Sequence, residues 1–195
     1  MTASTREDGR PAADAPVLNI ANVLTVLRIL LVPVFVVMFF VAGAQEPWWR
    51  VGAFVVFAVA MLTDYVDGYL ARRLGLVTDF GKIADPIADK ALIAAALISL
   101  SLVGELFWAV TVVILVREVG ITLWRLFGVD YVVAASKGGK LKTVTQTLGV
   151  GMLILPLPHW VWPAEWVVMG IAVALTVYTG VDYLVKARRA ALVRS

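Results

Sequence analysis

The chain contains no cysteine and one histidine, His159. Disulfides and thiolate metal centres are therefore excluded, and any metal must be held by oxygen ligands or by that imidazole. Charge is also sparse, a formal net +3 over 195 residues, and no soluble domain, low-complexity tract or internal repeat is visible. Apolar residues fill the sequence instead: 61% are hydrophobic and the mean hydropathy is +0.89. The length fits one domain, but this composition lies far above the apolar share of a soluble one and predicts a membrane protein. The cations cluster in three stretches, Arg72/Arg73/Lys82/Lys90, Lys137/Lys140/Lys142 and Lys186/Arg188/Arg189/Arg194. Beside apolar runs, such clusters mark the cytoplasmic side of a bilayer better than they mark a nucleic-acid surface.

Runs long enough to cross a bilayer as helices, about 20 residues, begin near Val23, Val51, Ile87, Phe107, Val144 and Trp162. The expected fold is all-α, a polytopic membrane protein whose six transmembrane helices occupy residues 19–195. The links at 45–50, 103–105 and 156–166 hold one Arg and no Lys, whereas the other regions carry the basic clusters, so both termini are expected in the cytoplasm. Trp48, Trp49, Trp108, Trp160, Trp162 and Trp166 fall at the proposed outer ends, where amphipathic rings favour the headgroup layer. Residues 1–18 are polar, with Pro11, Pro16 and both charge signs, and are expected to form a mobile tail. Ala42-Gly43-Ala44 resembles a signal cleavage site. The preceding run, however, exceeds the roughly 7 to 15 apolar residues of a signal peptide, so an uncleaved first helix is expected.

Four carboxylates interrupt this apolar pattern at the cytoplasmic ends of the second and third spans: Asp64, Asp67, Asp85 and Asp89. An ionised Asp at the centre of a membrane helix costs about 2.5 to 3.5 kcal/mol on insertion scales, so each needs compensation. Asp64, Asp67, Gly68, Ala71 and Arg72 share one face of a helix by their spacing, and Gly81, Asp85 and Asp89 follow at four-residue steps. Helical geometry starting near Gly81 would place Pro86 in a first turn, where a missing N–H costs little. Four like charges in one pocket call for divalent cations, and an all-oxygen donor set selects Mg²⁺, Mn²⁺ or Ca²⁺. Two metals about 3.5 to 4 Å apart suit phosphoryl chemistry. The small residues Gly68, Ala71 and Gly81 would let a diphosphate approach the backbone, and Arg72 could hold its oxygens.

Two other readings stand beside this one. The aspartates could pair structurally with Arg72, Arg73, Lys82 and Lys90, although four carboxylates interleaved with small residues on two successive faces exceed what such pairing needs. They could also line a proton or cation pathway. Transporters, however, commonly show repeated halves and broken helices, and here the acids lie near one surface rather than along a path.

The eight fixed residues match D-x-x-D-G-x-x-A-R-(x8)-G-x-x-x-D-x-x-x-D at every position. The chain thereby resembles the CDP-alcohol phosphotransferases. That resemblance implies six transmembrane helices with the motif across the second and third, a homodimer, and an enzyme moving a phosphatidyl group from CDP-diacylglycerol to a small alcohol. It implies further that Asp64, Asp67, Asp85 and Asp89 surround two divalent metals, Mg²⁺ or Mn²⁺, with Asp89 also the general base. Gly68, Ala71 and Arg72 would lie along the CDP diphosphate, and Thr78 and Gly81 near the nucleotide.

Outside the motif, three segments resemble the branch that accepts glycerol 3-phosphate, the phosphatidylglycerophosphate synthases: residues 19–28, 116–125 and 136–146. Branches accepting phosphatidylglycerol or inositol phosphate share the same core. Asn22, Thr25 and Arg28 are polar on the first helix and are candidates for the nucleotide pocket, for capping or for headgroup contact. Arg117 sits near mid-span and demands a partner, either an Asp or an anionic acceptor, while Glu118 beside it points about 100° away on a helix. Lys140 and Lys142, placed in a glycine-containing cytoplasmic loop, are candidates for the acceptor phosphate or ordinary positive-inside residues. His159 is expected at an interface and Asp182 at a helix end, neither with a role. No nucleic acid partner is expected, only the two substrates and membrane lipids.

Overall fold

A computed structural model describes residues 20–74, 79–127 and 137–192. The side chains at 20–22, 42, 65–74, 79–86, 125–127, 137, 187 and 189–192 lie outside that description, as does the whole tail expected at 1–18. All regular structure among the described residues is helical: α1 (Ile20–Phe40), α2 (Pro47–Leu74), α3 (Asp79–Leu102), α4 (Trp108–Phe127), α5 (Lys137–Ile154) and α6 (Trp162–Leu192). Short 3₁₀ turns at Val41–Ala44 and His159–Val161 precede α2 and α6.

The local chemistry sets these boundaries. Pro47 opens α2, where its missing N–H costs no ladder bond. Gly43 and Ala44, at φ +67° and +63°, reverse the chain between α1 and α2. Gly104, at φ +79°, ends α3, and the Leu100 carbonyl accepts from the N–H groups of Glu105 and Leu106 at 3.0 and 3.3 Å.

Two expectations need correction. Helix α3 starts at Asp79, so Pro86 falls past its first turn and within the helix interior. Lys140 and Lys142 belong to the first turns of α5, not to a loop. The helices also outrun the apolar runs. Asp64 lies ten residues before the end of α2 and Asp89 ten residues after the start of α3, so each helix continues about 15 Å beyond its carboxylate.

Helix α3 is the centre of the packing, touching α1, α2, α4 and α5, while α1 packs on α2 and α5 on α6. Phe35, Phe39, Phe57, Leu92, Leu97, Leu100, Ile114, Ile154 and Met169 form the buried core. Small residues bring the helices together: a Cβ at Gly149 would stand 3.5 Å from the Met169 backbone, and one at Gly151 3.2 Å from the Phe54 ring. The outward face is apolar on every helix, with Leu30, Val59, Leu102, Val116, Leu148 and Val181 exposed. Among the described residues, two stretches are long and apolar enough to cross a membrane: Val23–Phe40 in α1, and His159–Lys186, which runs from the 3₁₀ turn into α6. An apolar exterior of this kind is what a helical membrane protein presents to lipid.

At the tryptophan-rich end the bundle is closed by Arg50. Its guanidinium pairs with Glu105, donates to the Leu153 and Ile154 carbonyls at 2.6 and 2.9 Å, and lies 5.2 Å from the centre of the Phe39 ring. One buried cation therefore ties α2 to the α3–α4 turn and caps the negative end of α5. Trp48, Trp49, Trp108, Trp160 and Trp162 are exposed around it, and His159 stacks on Trp162. Arg50→Ala should lower the melting temperature in detergent by about 5 °C or more, since stripping a buried cation leaves its partners uncompensated. Michaelis constants should stay within about twofold, because Arg50 lies about 21 Å along α2 from Asp64.

Candidate active site

The polar groups at the opposite end of the core come from all six helices. Thr25 and Arg28, one turn apart on α1, are both 0% exposed, and the Arg28 guanidinium Nη1 meets Asp64 Oδ1 of α2 at 2.7 Å. Among the described residues Asp64 thus has an arginine of α1 as a partner, a cation the sequence reading had not offered it; the side chains of Arg72, Arg73 and Lys82 lie outside the described residues. On α3, Asp89 Oδ2 accepts from Lys90 Nζ at 2.5 Å. Asp64 and Asp89 keep 36% and 20% of their side chains accessible, so both remain open to a ligand despite these partners.

Behind Asp89 lies a buried ionic cluster whose hub is Glu118, 4% exposed in the middle of α4. Oε2 takes Lys90 Nζ of α3 at 3.1 Å; Oε1 takes Arg117 Nη1 at 3.0 Å and is also paired with Lys142 Nζ of α5. Arg117 therefore pairs with Glu118, not with an aspartate, because both side chains are long enough to bridge the angle between adjacent helical positions. Its Nη2 also donates to Thr179 Oγ1 on α6 at 3.2 Å. Gly180 makes room for the arginine stem, since a Cβ there would stand 3.2 Å from Arg117 Cγ. Lys142 is buried against Glu118, whereas Lys140, one half-turn earlier, is exposed.

A cavity of about 10 Å³, room for about one water, is bounded by Asp89, Lys90, Glu118, Lys142, Gln146 and Thr147. Gln146 Oε1 and Thr147 Oγ1 are buried there without a protein partner. A cavity of about 550 Å³ lies elsewhere, in an apolar groove between α4 and α6 with Arg117 in its wall, and neither Asp64 nor Asp89 lines it.

The motif positions are carried on continuous helix, 64 to 72 on α2 and 81 to 89 on α3. Residues 18–178 match the CDP-alcohol phosphatidyltransferase family. The chain belongs to that family. It is similar to a probable phosphatidylglycerophosphate synthase of Mycobacterium tuberculosis, 49% identical over 94% of this chain and 88% of the relative. It is also similar to CDP-diacylglycerol–glycerol-3-phosphate 3-phosphatidyltransferases of Bacillus subtilis and Escherichia coli, at 37% and 36% identity. These alignments cover 86% and 87% of this chain, and 94% and 95% of the relatives.

As a CDP-alcohol phosphatidyltransferase the chain is a membrane transferase, and its described site residues can be placed individually. Asp64 and Asp89 each keep an accessible side; Thr25 is enclosed; Arg117 and Lys142 are engaged by Glu118; Lys140 has no ion-pair partner among the described residues. Thr78 and the side chains of Asn22, Asp67, Gly68, Ala71, Arg72, Gly81 and Asp85 lie outside the described residues. Among the described residues no three carboxylates or imidazoles gather into a metal cluster. Asp64 and Asp89, all-oxygen donors with an accessible side, fit a hard divalent cation in kind. Glu118 was overlooked as a hub although its signal was present: a mid-span carboxylate must find cations.

Among the described residues the cluster holds three cations, Lys90, Arg117 and Lys142, against two carboxylates, Asp89 and Glu118. Removing a cation brings it to balance, whereas removing Glu118 doubles its surplus. Glu118→Gln should therefore lower the melting temperature by about 3 to 10 °C, and Lys142→Met by clearly less, measured by thermal unfolding in detergent.

Proposed function

We propose that this enzyme transfers the phosphatidyl group of CDP-diacylglycerol to glycerol 3-phosphate, giving phosphatidylglycerol phosphate and CMP. The observation that carries the reading is near-full-length similarity to relatives from three bacteria named for that reaction. In this reading the chain crosses the cell membrane six times, with both termini and the carboxylates on the cytoplasmic side, and works as a homodimer. The apolar outward face of all six helices and the tryptophans around Arg50 support the topology.

Asp64, Asp67, Asp85 and Asp89 are the residues that would hold Mg²⁺ or Mn²⁺, two per site, and bound there the cations would supply Lewis-acid stabilisation of the phosphate oxygens. Arg28 holds Asp64 in place from α1. Gly68, Ala71, Arg72, Thr78 and Gly81 bind the CDP headgroup, with Asn22 and Thr25 supporting it from α1, while the acyl chains stay in lipid. Asp89 accepts the proton of the acceptor's 1-hydroxyl as its oxygen attacks the lipid-side phosphorus, and the bond from that phosphorus to CMP breaks. Arg72 neutralises charge developing on the transferring phosphate. Lys140, exposed on the first turns of α5, meets the phosphate of the acceptor, while Arg117 and Lys142 contribute positive potential from beneath.

The test is CMP release by purified protein given CDP-diacylglycerol and Mg²⁺ or Mn²⁺, with glycerol 3-phosphate, inositol phosphate, phosphatidylglycerol or serine supplied separately. Release with glycerol 3-phosphate alone supports the reading, release with another acceptor replaces the substrate, and no metal-dependent release defeats it. Asp64→Asn and Asp89→Asn should each leave a folded, inserted protein and abolish turnover; substantial activity in either would remove that residue from the site. Lys140→Ala should raise the Michaelis constant for glycerol 3-phosphate more than that for CDP-diacylglycerol, and an unchanged value would return Lys140 to a surface charge.

A further inference from the structure

We propose that Glu118 is a positioning residue: acting through Lys90, it fixes the carboxylate of Asp89 for its encounter with the acceptor hydroxyl. The inference rests on the assignment of Asp89 as the base. Glu118 lies outside the aspartate motif and belongs to a different helix from Asp89.

The geometry is a two-sided anchor. Lys90 follows Asp89 directly, and adjacent positions on a helix diverge by about 100°, so register alone does not bring their side chains together. The lysine stem nevertheless curls back to place Nζ 2.5 Å from Asp89 Oδ2 and 3.1 Å from Glu118 Oε2. A lysine ammonium on a four-carbon stem is a flexible point charge, and the half-buried Asp89 holds it at one point only. Glu118 supplies the second point, and it is rigid: it is buried on α4 and held on its other oxygen by Arg117 and Lys142. Lys90 is thereby pinned between α3 and α4. The Lys90 bond to Oδ2 fixes the plane and direction of the Asp89 carboxylate. Misplacing a reacting group by about 1 Å can cost about 100-fold in rate, so the anchor bears on turnover more than on substrate binding.

A double-mutant cycle on the full chain in detergent tests this, reading CMP release and thermal unfolding in parallel for Glu118→Gln, Lys90→Met and the two combined. Each single variant should lower kcat by about 10-fold or more, with both Michaelis constants within about twofold. Because the two residues act in series, the double variant should be no slower than Lys90→Met alone. Its melting temperature should recover toward that of the parent, since one charge of each sign has been removed. Losses in kcat that multiply, an effect confined to the Michaelis constants, or a Glu118→Gln enzyme with the parent's kcat would each overturn the proposal. So would a double variant that fails to fold at the assay temperature, which would make the cluster a folding element only. A parent chain releasing no CMP would defeat the reaction assigned above and this inference with it, whereas an active parent without coupling defeats this inference alone.

Discussion

A carboxylate placed inside an apolar helix bundle has to be compensated, and the arrangement of this protein follows from where the compensating cations stand. Asp64 takes Arg28 from α1, Asp89 takes Lys90 from its own helix, and Glu118 takes cations from α3, α4 and α5. The pairs of Asp64 with Arg28 and of Glu118 with Lys90 and Lys142 cross helix boundaries, so satisfying the charges also sets how the helices lie against one another. Between helices in lipid the hydrophobic effect gives little drive, and such polar contacts, together with close approach at glycine and alanine, bear more of the specificity.

The two ends of the bundle use the same device for different purposes. Arg50 is buried and spends four of its five N–H donors on a carboxylate and two helix carbonyls, with an aromatic ring against it. The other end is only partly satisfied, because Asp64 and Asp89 retain accessible surface after pairing. Closed polar contacts stabilise and open ones bind, and that difference locates the chemistry better than cavity size does. The roomy groove between α4 and α6 is apolar, whereas the small space behind Asp89 carries the charge.

The helices and the carboxylate pattern were legible in the sequence because both are local. Apolar runs of about 20 residues locate helices, and four-residue steps between carboxylates are a property of one helix read alone. Partners were not legible, because they depend on which helices are neighbours. Arg28 was visible as a polar residue on α1, but nothing in its own segment points to Asp64, which is 36 positions later. The angle between Arg117 and Glu118 argued against a pair, yet two long side chains close it. Lys140 and Lys142 were assigned to a loop because Gly138 and Gly139 suggest one; α5 begins at Lys137 all the same, and it gives the two lysines opposite environments. Tertiary packing overrides weak local propensity in such cases.

The surplus of positive charge in the Glu118 cluster has a consequence for the partners this family handles. Both proposed substrates are phosphate esters and bring negative charge to a site that already holds carboxylates. Three cations set against two carboxylates, partly buried where the dielectric is low, project a net positive potential toward the open side of Asp89. That potential opposes the repulsion an anionic acceptor would meet from the aspartates. Because Glu118 is buried and holds Lys90 from the far side, that lysine is shared between Glu118 and Asp89 instead of neutralising Asp89 alone. A buried carboxylate with no chemistry of its own can in this way keep a neighbouring one available for reaction.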